Sequence, residues 1–171
     1  MLISAEYLDL QRELHRRSDY GISSQKWADI VHDLATKFGC RTILDYGCGK
    51  GYLAATLLNR PRDYVVSEYD PAIEGRDTPP GPADLVFCGD VLEHIEPECL
   101  NAVLADLSGL TRRIAFLVIA TRPASKRLAD GRNAHLIVES ASWWLPHLTS
   151  HWRTEGFAGT AGELQFLGSP G

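Results

Sequence analysis

Chemistry-bearing residues fall in three short stretches and at one distant histidine. The first stretch, Ile43-Leu44-Asp45-Tyr46-Gly47-Cys48-Gly49-Lys50-Gly51, sets a carboxylate ahead of three glycines. Glycines at such a turn let the backbone bend tightly and come close to a ligand. The spacing is neither G-x-G-x-x-G nor G-x-x-x-x-G-K-[ST], so a phosphate loop is not indicated. A carboxylate at Asp45 would repel a phosphate and attract an ammonium group, which implies a ligand with an amino acid end. The second stretch ends at Asp70, where a carboxylate can accept from two ribose hydroxyls; the alternative is an ordinary helix cap before Pro71. The third, Cys88-Gly89-Asp90-Val91-Leu92-Glu93-His94-Ile95, spaces Asp90, Glu93 and His94 at i, i+3 and i+4, one face of a helical turn. His135 follows the last central strand and can converge on the same mouth, as a base or as a ligand. Two carboxylates with two imidazoles make a credible shell for a divalent ion such as Mg²⁺, and equally can serve only capping and packing.

These residues need elements to position them. Ser4 is an N-cap for a first helix with Tyr7, Leu10 and Leu14 on one face. Ser18 to Gly21 breaks it, and a second helix is expected from Ser24 to Phe38, ended by Gly39. From Arg41 onward strand and helix alternate, the pattern of a parallel α/β sheet. Strands are expected at Thr42–Tyr46, Tyr64–Tyr69, Leu85–Cys88 and Arg113–Ala120, with a helix through about Asn59 and another opened by Pro97. Trp152–Gly159 and Glu163–Leu167 read as an antiparallel pair. Between Asp70 and Asp84 the density of Pro and Gly leaves no room for a full strand–helix unit.

With these motifs in this order, the chain resembles the class I S-adenosylmethionine (SAM)-dependent methyltransferases. The residues that carry the resemblance are ILDYGCGKGYLA (Ile43 to Ala54), YDPAI (Tyr69 to Ile73) and DLVFCGDVLEHI (Asp84 to Ile95). It implies a Rossmann-like α/β sandwich, mostly parallel with an antiparallel last strand, shortened after the second strand. It implies SAM as cofactor, with Asp45, Tyr46 and the Gly47-Cys48-Gly49 turn at the methionine portion. Asp70 would hold the ribose, and Cys88, Gly89 and Asp90 would line the cofactor beneath the sulfonium. The shortened segment departs from the family, whose extra unit helps grip adenine; Asp77 is the one remnant candidate. The set Asp90, Glu93, His94 and His135 is similar to that of methyltransferases in which a metal binds a diol-like acceptor.

The 171 residues, 44% of them hydrophobic, suffice for one domain, here 1–38 as a helical cover and 39–171 as the α/β core. No apolar run approaches the roughly 18 residues of a membrane span. Four cysteines without C-x-x-C spacing read as reduced, and a cytoplasmic location is expected. The net charge of −5 argues against a wholly basic nucleic-acid binder. Locally, however, Arg112, Arg113, Arg122, Lys126, Arg127 and Arg132 face only Asp130. The last four of these bases lie in the loop after the strand ending near Ala120, and a basic loop beyond a strand's carboxyl end suits an anionic acceptor. The function expected is therefore methyl transfer to oxygen or nitrogen of a small, anionic molecule, with His135 and Asp90 as the catalytic candidates. A nucleic-acid methyltransferase, or a non-catalytic SAM-binding domain that needs a partner, are the alternatives. Of Trp143 and Trp144, one belongs in the core and the other is free to lid the site; Tyr20-Gly21 would join the cover.

Overall fold

The computed structural model describes residues 1–171. Four strands, β1 (Thr42–Tyr46), β2 (Val65–Tyr69), β3 (Ala83–Gly89) and β4 (Thr111–Ala120), run parallel. A hairpin of β5 (Trp152–Thr160) and β6 (Glu163–Pro170) follows, with β6 antiparallel to both β4 and β5. The order across the sheet is β2-β1-β3-β4-β6-β5.

Both faces of the central strands are covered, which is why β3 and β4 are near-continuous apolar runs rather than alternating ones. On one face α4 (Leu100–Leu110) and α5 (Ala141–Thr149) bury Leu104, Leu107 and Trp144 against Leu44, Val86 and Leu117. On the other, α2 (Ala28–Lys37) and α3 (Tyr52–Leu57) bury Val31 and Leu53 against Ile43, Leu85 and Phe87. Each such side chain contributes about 1.5–3 kcal/mol by leaving water. β2 is different. It is an edge strand whose burial alternates, with Val65 at 65% exposure. Pro71 to Pro82 forms turns where another strand and helix would otherwise cover it.

The expected second helix divides. Ser23–Trp27 is a 3₁₀ turn and α2 starts only at Ala28. In the tighter winding Ser24 and Trp27, three apart, lie on one side, and both are buried. A 3₁₀ turn at Pro97–Cys99 likewise precedes α4. The first helix, α1 (Ala5–His15), is capped as expected, Ser4 Oγ accepting from Tyr7 N at 3.1 Å. Its N-terminus is held to the core by Glu96, which accepts from Ser4 N (2.8 Å) and Ser4 Oγ (2.6 Å).

Candidate active site

The carboxyl ends of β1, β2, β3 and β4 surround a cavity of about 360 Å³, and α1 with residues 19–26 covers it. Gly47, Gly49 and Gly51 all have φ between +55° and +77°, the left-handed region that glycine enters freely. Each is needed for a different reason. A Cβ on Gly47 would collide with Val91, one on Gly49 would lie 2.5 Å from Gly21 O, and one on Gly51 would collide with Glu68 and Arg76. The turn is thus where four segments of chain meet.

Asp70 lines the cavity and organises the turn. Its Oδ2 accepts from Gly49 N at 3.1 Å and its Oδ1 from Ala72 N at 3.0 Å, leaving each oxygen a further lone pair. His15 Nε2, at the end of α1, lies 3.7 Å from Asp70 Oδ2. Burial lowers the pKa of His15, against the opposing pull of Asp70.

At the far end, one ligand atom each from Glu93, His94 and His135 lies within 4.8 Å of the others. His94 Nδ1 is 2.7 Å from Ala134 O, and His135 Nδ1 is 2.6 Å from Arg122 O. A carbonyl only accepts, so both Nδ1 atoms carry hydrogen and both Nε2 lone pairs are free in the neutral rings. Burial lowers the pKa of both rings, that of His94 to about 4. Glu93 is fully buried; its Oε1 accepts from Ala120 N at 3.1 Å and its Oε2 has no partner. Burial first, then Asp90, raises its pKa to about 8.

Tyr46, Gly47, Cys48, Gly49, Asp70, Gly89, Asp90, His94 and His135 line the cavity, as do Tyr20 and Gly21 of the cover. Asp45, Cys88 and Glu93 do not. Asp45 is buried beneath the turn with Oδ2 unpartnered, and burial, then Glu68 and Asp70, raise its pKa to about 8. Asp90 does not share a helical face with Glu93 and His94. It sits at φ +57°, before a short 3₁₀ turn at Leu92–His94, and its Oδ2 accepts from Lys26 Nζ at 3.0 Å. Asp77 is exposed and outside the cavity, so it leaves no trace of the missing unit. Neither tryptophan lids the site: Trp144 is core, and Trp143 stacks on His147 at 4.1 Å.

The basic segment splits as well. Arg112 and Arg113 stand at the start of β4, the opposite end from the cavity. Arg127 donates to Gly131 O and Arg132 pairs with Asp130, while Arg122 and Lys126 line the cavity. Lys126 pairs with Asp19 at 3.4 Å; Arg122 has no acidic partner within 4 Å.

Residues 14–162 match the family described as "Methyltransferase domain". The chain belongs to this family. With it comes membership of the class I SAM-dependent methyltransferases, in agreement with the fold and with SAM as cofactor. No curated relative matches the sequence. Among solved structures, the methyltransferase resembles 1,6-didemethyltoxoflavin-N1-methyltransferase of Burkholderia thailandensis, bound to 1,6-didemethyltoxoflavin and S-adenosylhomocysteine (15% identity, 96% of this chain, 89% of that one, TM-score 0.69). It also resembles the DhpI–SAH complex (19% identity, 98% of each chain, TM-score 0.68). A third is magnesium protoporphyrin IX methyltransferase of Synechocystis PCC 6803 with bound SAM (19% identity, 91% of this chain, 86% of that one, TM-score 0.60).

The residues of this methyltransferase fit SAM. The cavity is within the roughly 300–1,000 Å³ typical of small-molecule sites, and it combines a close backbone turn with a carboxylate that retains accepting capacity. The sequence missed Tyr7, Gln11 and His15 of α1, which also line it. One signal was available: Gln11, four residues after Tyr7, puts an amide on the buried stripe of the helix. It is buried, donating to Tyr7 Oη at 2.6 Å and accepting from Tyr20 Oη at 3.1 Å.

Proposed function

We propose that this methyltransferase methylates an oxygen or nitrogen of a small anionic molecule, with His135 taking the proton. The observation that carries the reading is a single cavity that joins the glycine turn and Asp70 to His135 and Arg122. SAM, when bound, supplies an electrophilic methyl group for in-line displacement, a reaction that depends on alignment more than on acid–base help. Gly47 to Gly49 and Asp70 hold the cofactor end. His135, neutral at pH 7 with Nε2 free, accepts the proton an acceptor hydroxyl loses. Asp90 is the other candidate, but its carboxylate is engaged by Lys26, which favours His135. Arg122, with no acid beside it, anchors the anionic group. The toxoflavin-precursor and protoporphyrin methyltransferases of similar fold act on small molecules, which supports a small acceptor here. Four buried free cysteines, in a chain where no helix is long and apolar enough to cross a membrane, support a cytoplasmic setting.

Glu93, His94 and His135 also favour a second reading, in which they hold a divalent metal that fixes and polarises the acceptor. Both histidines donate Nδ1–H to a main-chain carbonyl, the arrangement that fixes the ring of a metal ligand. The buried, unpartnered Glu93 Oε2 would gain a partner. Two imidazoles with one carboxylate suit a first-row ion such as Mn²⁺ better than Mg²⁺, which prefers oxygen donors. The test is calorimetry with S-adenosylhomocysteine, with and without Mn²⁺ or Mg²⁺, followed by a methyl-transfer screen of phosphorylated and carboxylated hydroxy compounds. The reading predicts binding in the micromolar range, weakened at least tenfold in Asp70→Asn. Unchanged affinity in that variant would remove Asp70 from the cofactor site.

A further inference from the structure

The segment after β2 is short, yet it is anchored. Asp70 N donates to Arg76 O at 2.9 Å, Ile73 N to Asp70 O at 3.2 Å, and Arg76 N to Ile73 O at 3.0 Å, closing a compact turn over residues 70–76. From its end the Arg76 side chain folds back under the glycine turn. Its Nε lies 3.4 Å from Glu68 Oε2, and its Nη1 donates to Gly49 O at 3.3 Å. Gly49 is therefore gripped from both sides, its N–H by Asp70 and its C=O by Arg76. The third glycine of the motif belongs to the same arrangement, since any side chain on Gly51 would collide with the Glu68–Arg76 pair.

We infer that Arg76 is the positioning residue of the cofactor turn, locking Gly49 through its carbonyl and balancing the carboxylates of Asp45, Glu68 and Asp70. It acts through Gly49 and touches no reacting atom. The inference rests on SAM binding at the glycine turn. Asp45 and Glu68 are register partners on β1 and β2, and each has a buried oxygen without a hydrogen-bond partner. The other titratable groups nearby are the Cys48 thiol in the turn, His15 of α1 against Asp70, and Lys50, whose Nζ donates to Arg17 O. Arg12, Arg16 and Glu74 border the outer groove that Arg76 shares. None of them bridges Glu68 to the turn as Arg76 does.

Without Arg76, an ionised Asp45 faces Glu68 and Asp70 uncompensated, and that repulsion eases when Asp45 takes up a proton. The experiment is calorimetry with S-adenosylhomocysteine on the full chain, wild type, Arg76→Ala and Arg76→Lys, at pH 6, 7.5 and 9, with melting curves of each protein without ligand. Arg76→Ala is expected to bind roughly tenfold more weakly at pH 7.5, as for loss of one charge-assisted hydrogen bond. Its deficit should grow toward pH 9 and shrink toward pH 6. Arg76→Lys keeps the charge and should restore the wild-type pH dependence while remaining weaker. Wild-type affinity in Arg76→Ala would overturn the inference. So would an equal, pH-independent deficit in both variants, which marks a merely structural role. If the wild type itself binds no S-adenosylhomocysteine, the placement of the cofactor fails rather than the role of Arg76.

Discussion

The rings of His94 and His135 meet edge to face, centroids 4.7 Å apart and planes at 89°, with each Nδ1 turned to a main-chain carbonyl. Two neutral imidazoles so placed can serve a proton or a metal, and protonating either works against the other. Activity should therefore fall on the acid side. The pKa of His135 lies below its ordinary value because it is buried, so kcat/KM is expected to be flat through neutrality and to decline only below about pH 6.5. His135→Ala should lower kcat by about 100-fold or more and abolish that limb. A pH–rate profile measures both, and an unchanged acid limb in the variant would assign it to another group.

Glu93 makes the opposite demand. The folded chain keeps its proton up to about pH 8, whereas the unfolded chain releases it near 4.5. Its contribution to stability is full below pH 4.5 and is lost as pH rises toward 8. Asp45 behaves alike, from 3.8 to about 8. Glu93→Gln keeps the acceptor for Ala120 N and removes one ionisation. In the presence of chelator it should be more stable than wild type at pH 8, by on the order of 1–3 kcal/mol, and equal to it at pH 4. On the reading in which Glu93, His94 and His135 hold a metal, added Mn²⁺ should raise the melting temperature of the wild type and leave Glu93→Gln unmoved. Equal melting curves at both pH values would mean that Glu93 is charged and paired in the fold.

The glycine turn separates two kinds of strain. Gly47→Ala brings a Cβ against the Val91 side chain, whereas Gly49→Ala meets the Gly21 backbone, which cannot retract by changing a rotamer. Both also place a non-glycine residue at positive φ, a cost of about 1 kcal/mol. Trimming Val91 to Ala is expected to recover part of the stability lost by Gly47→Ala and none of that lost by Gly49→Ala. Denaturant melts of the two double variants read this directly.

The placements legible in the sequence are those that depend on local chain geometry. Asp70 and the Gly47–Gly49 turn follow from a strand meeting a helix, and β1, β3 and β4 from their apolar runs. Asp45 could have been placed better. In a strand it shares a face with Ile43, not with Tyr46, so period-two alternation sends it under the turn and leaves Tyr46 at the cavity. Lys26 on Asp90 and Arg76 on Gly49 are pairings between distant segments, which no spacing encodes. Of the four bases expected in the loop after β4, Arg127 and Arg132 turn to Gly131 and Asp130 instead of the cavity, contacts that no charge count encodes.

Arg122 is the cation of that segment best placed to read the acceptor. It lines the cavity, its carbonyl orients His135, and no carboxylate lies within 4 Å of its guanidinium. Lys26 and Lys126 also face the cavity, but Asp90 and Asp19 occupy them. An anionic group on Arg122 would hold the acceptor in the cavity that His135 also lines. Arg122→Ala keeps the main-chain carbonyl, so the His135 tautomer should persist. The expected result is a KM for an anionic acceptor raised roughly tenfold, with S-adenosylhomocysteine affinity unchanged. The wild-type KM should also rise with salt, and more steeply than in the variant. Steady-state kinetics at two ionic strengths decide it: a KM insensitive to both the substitution and salt would mean that the acceptor is not held by charge.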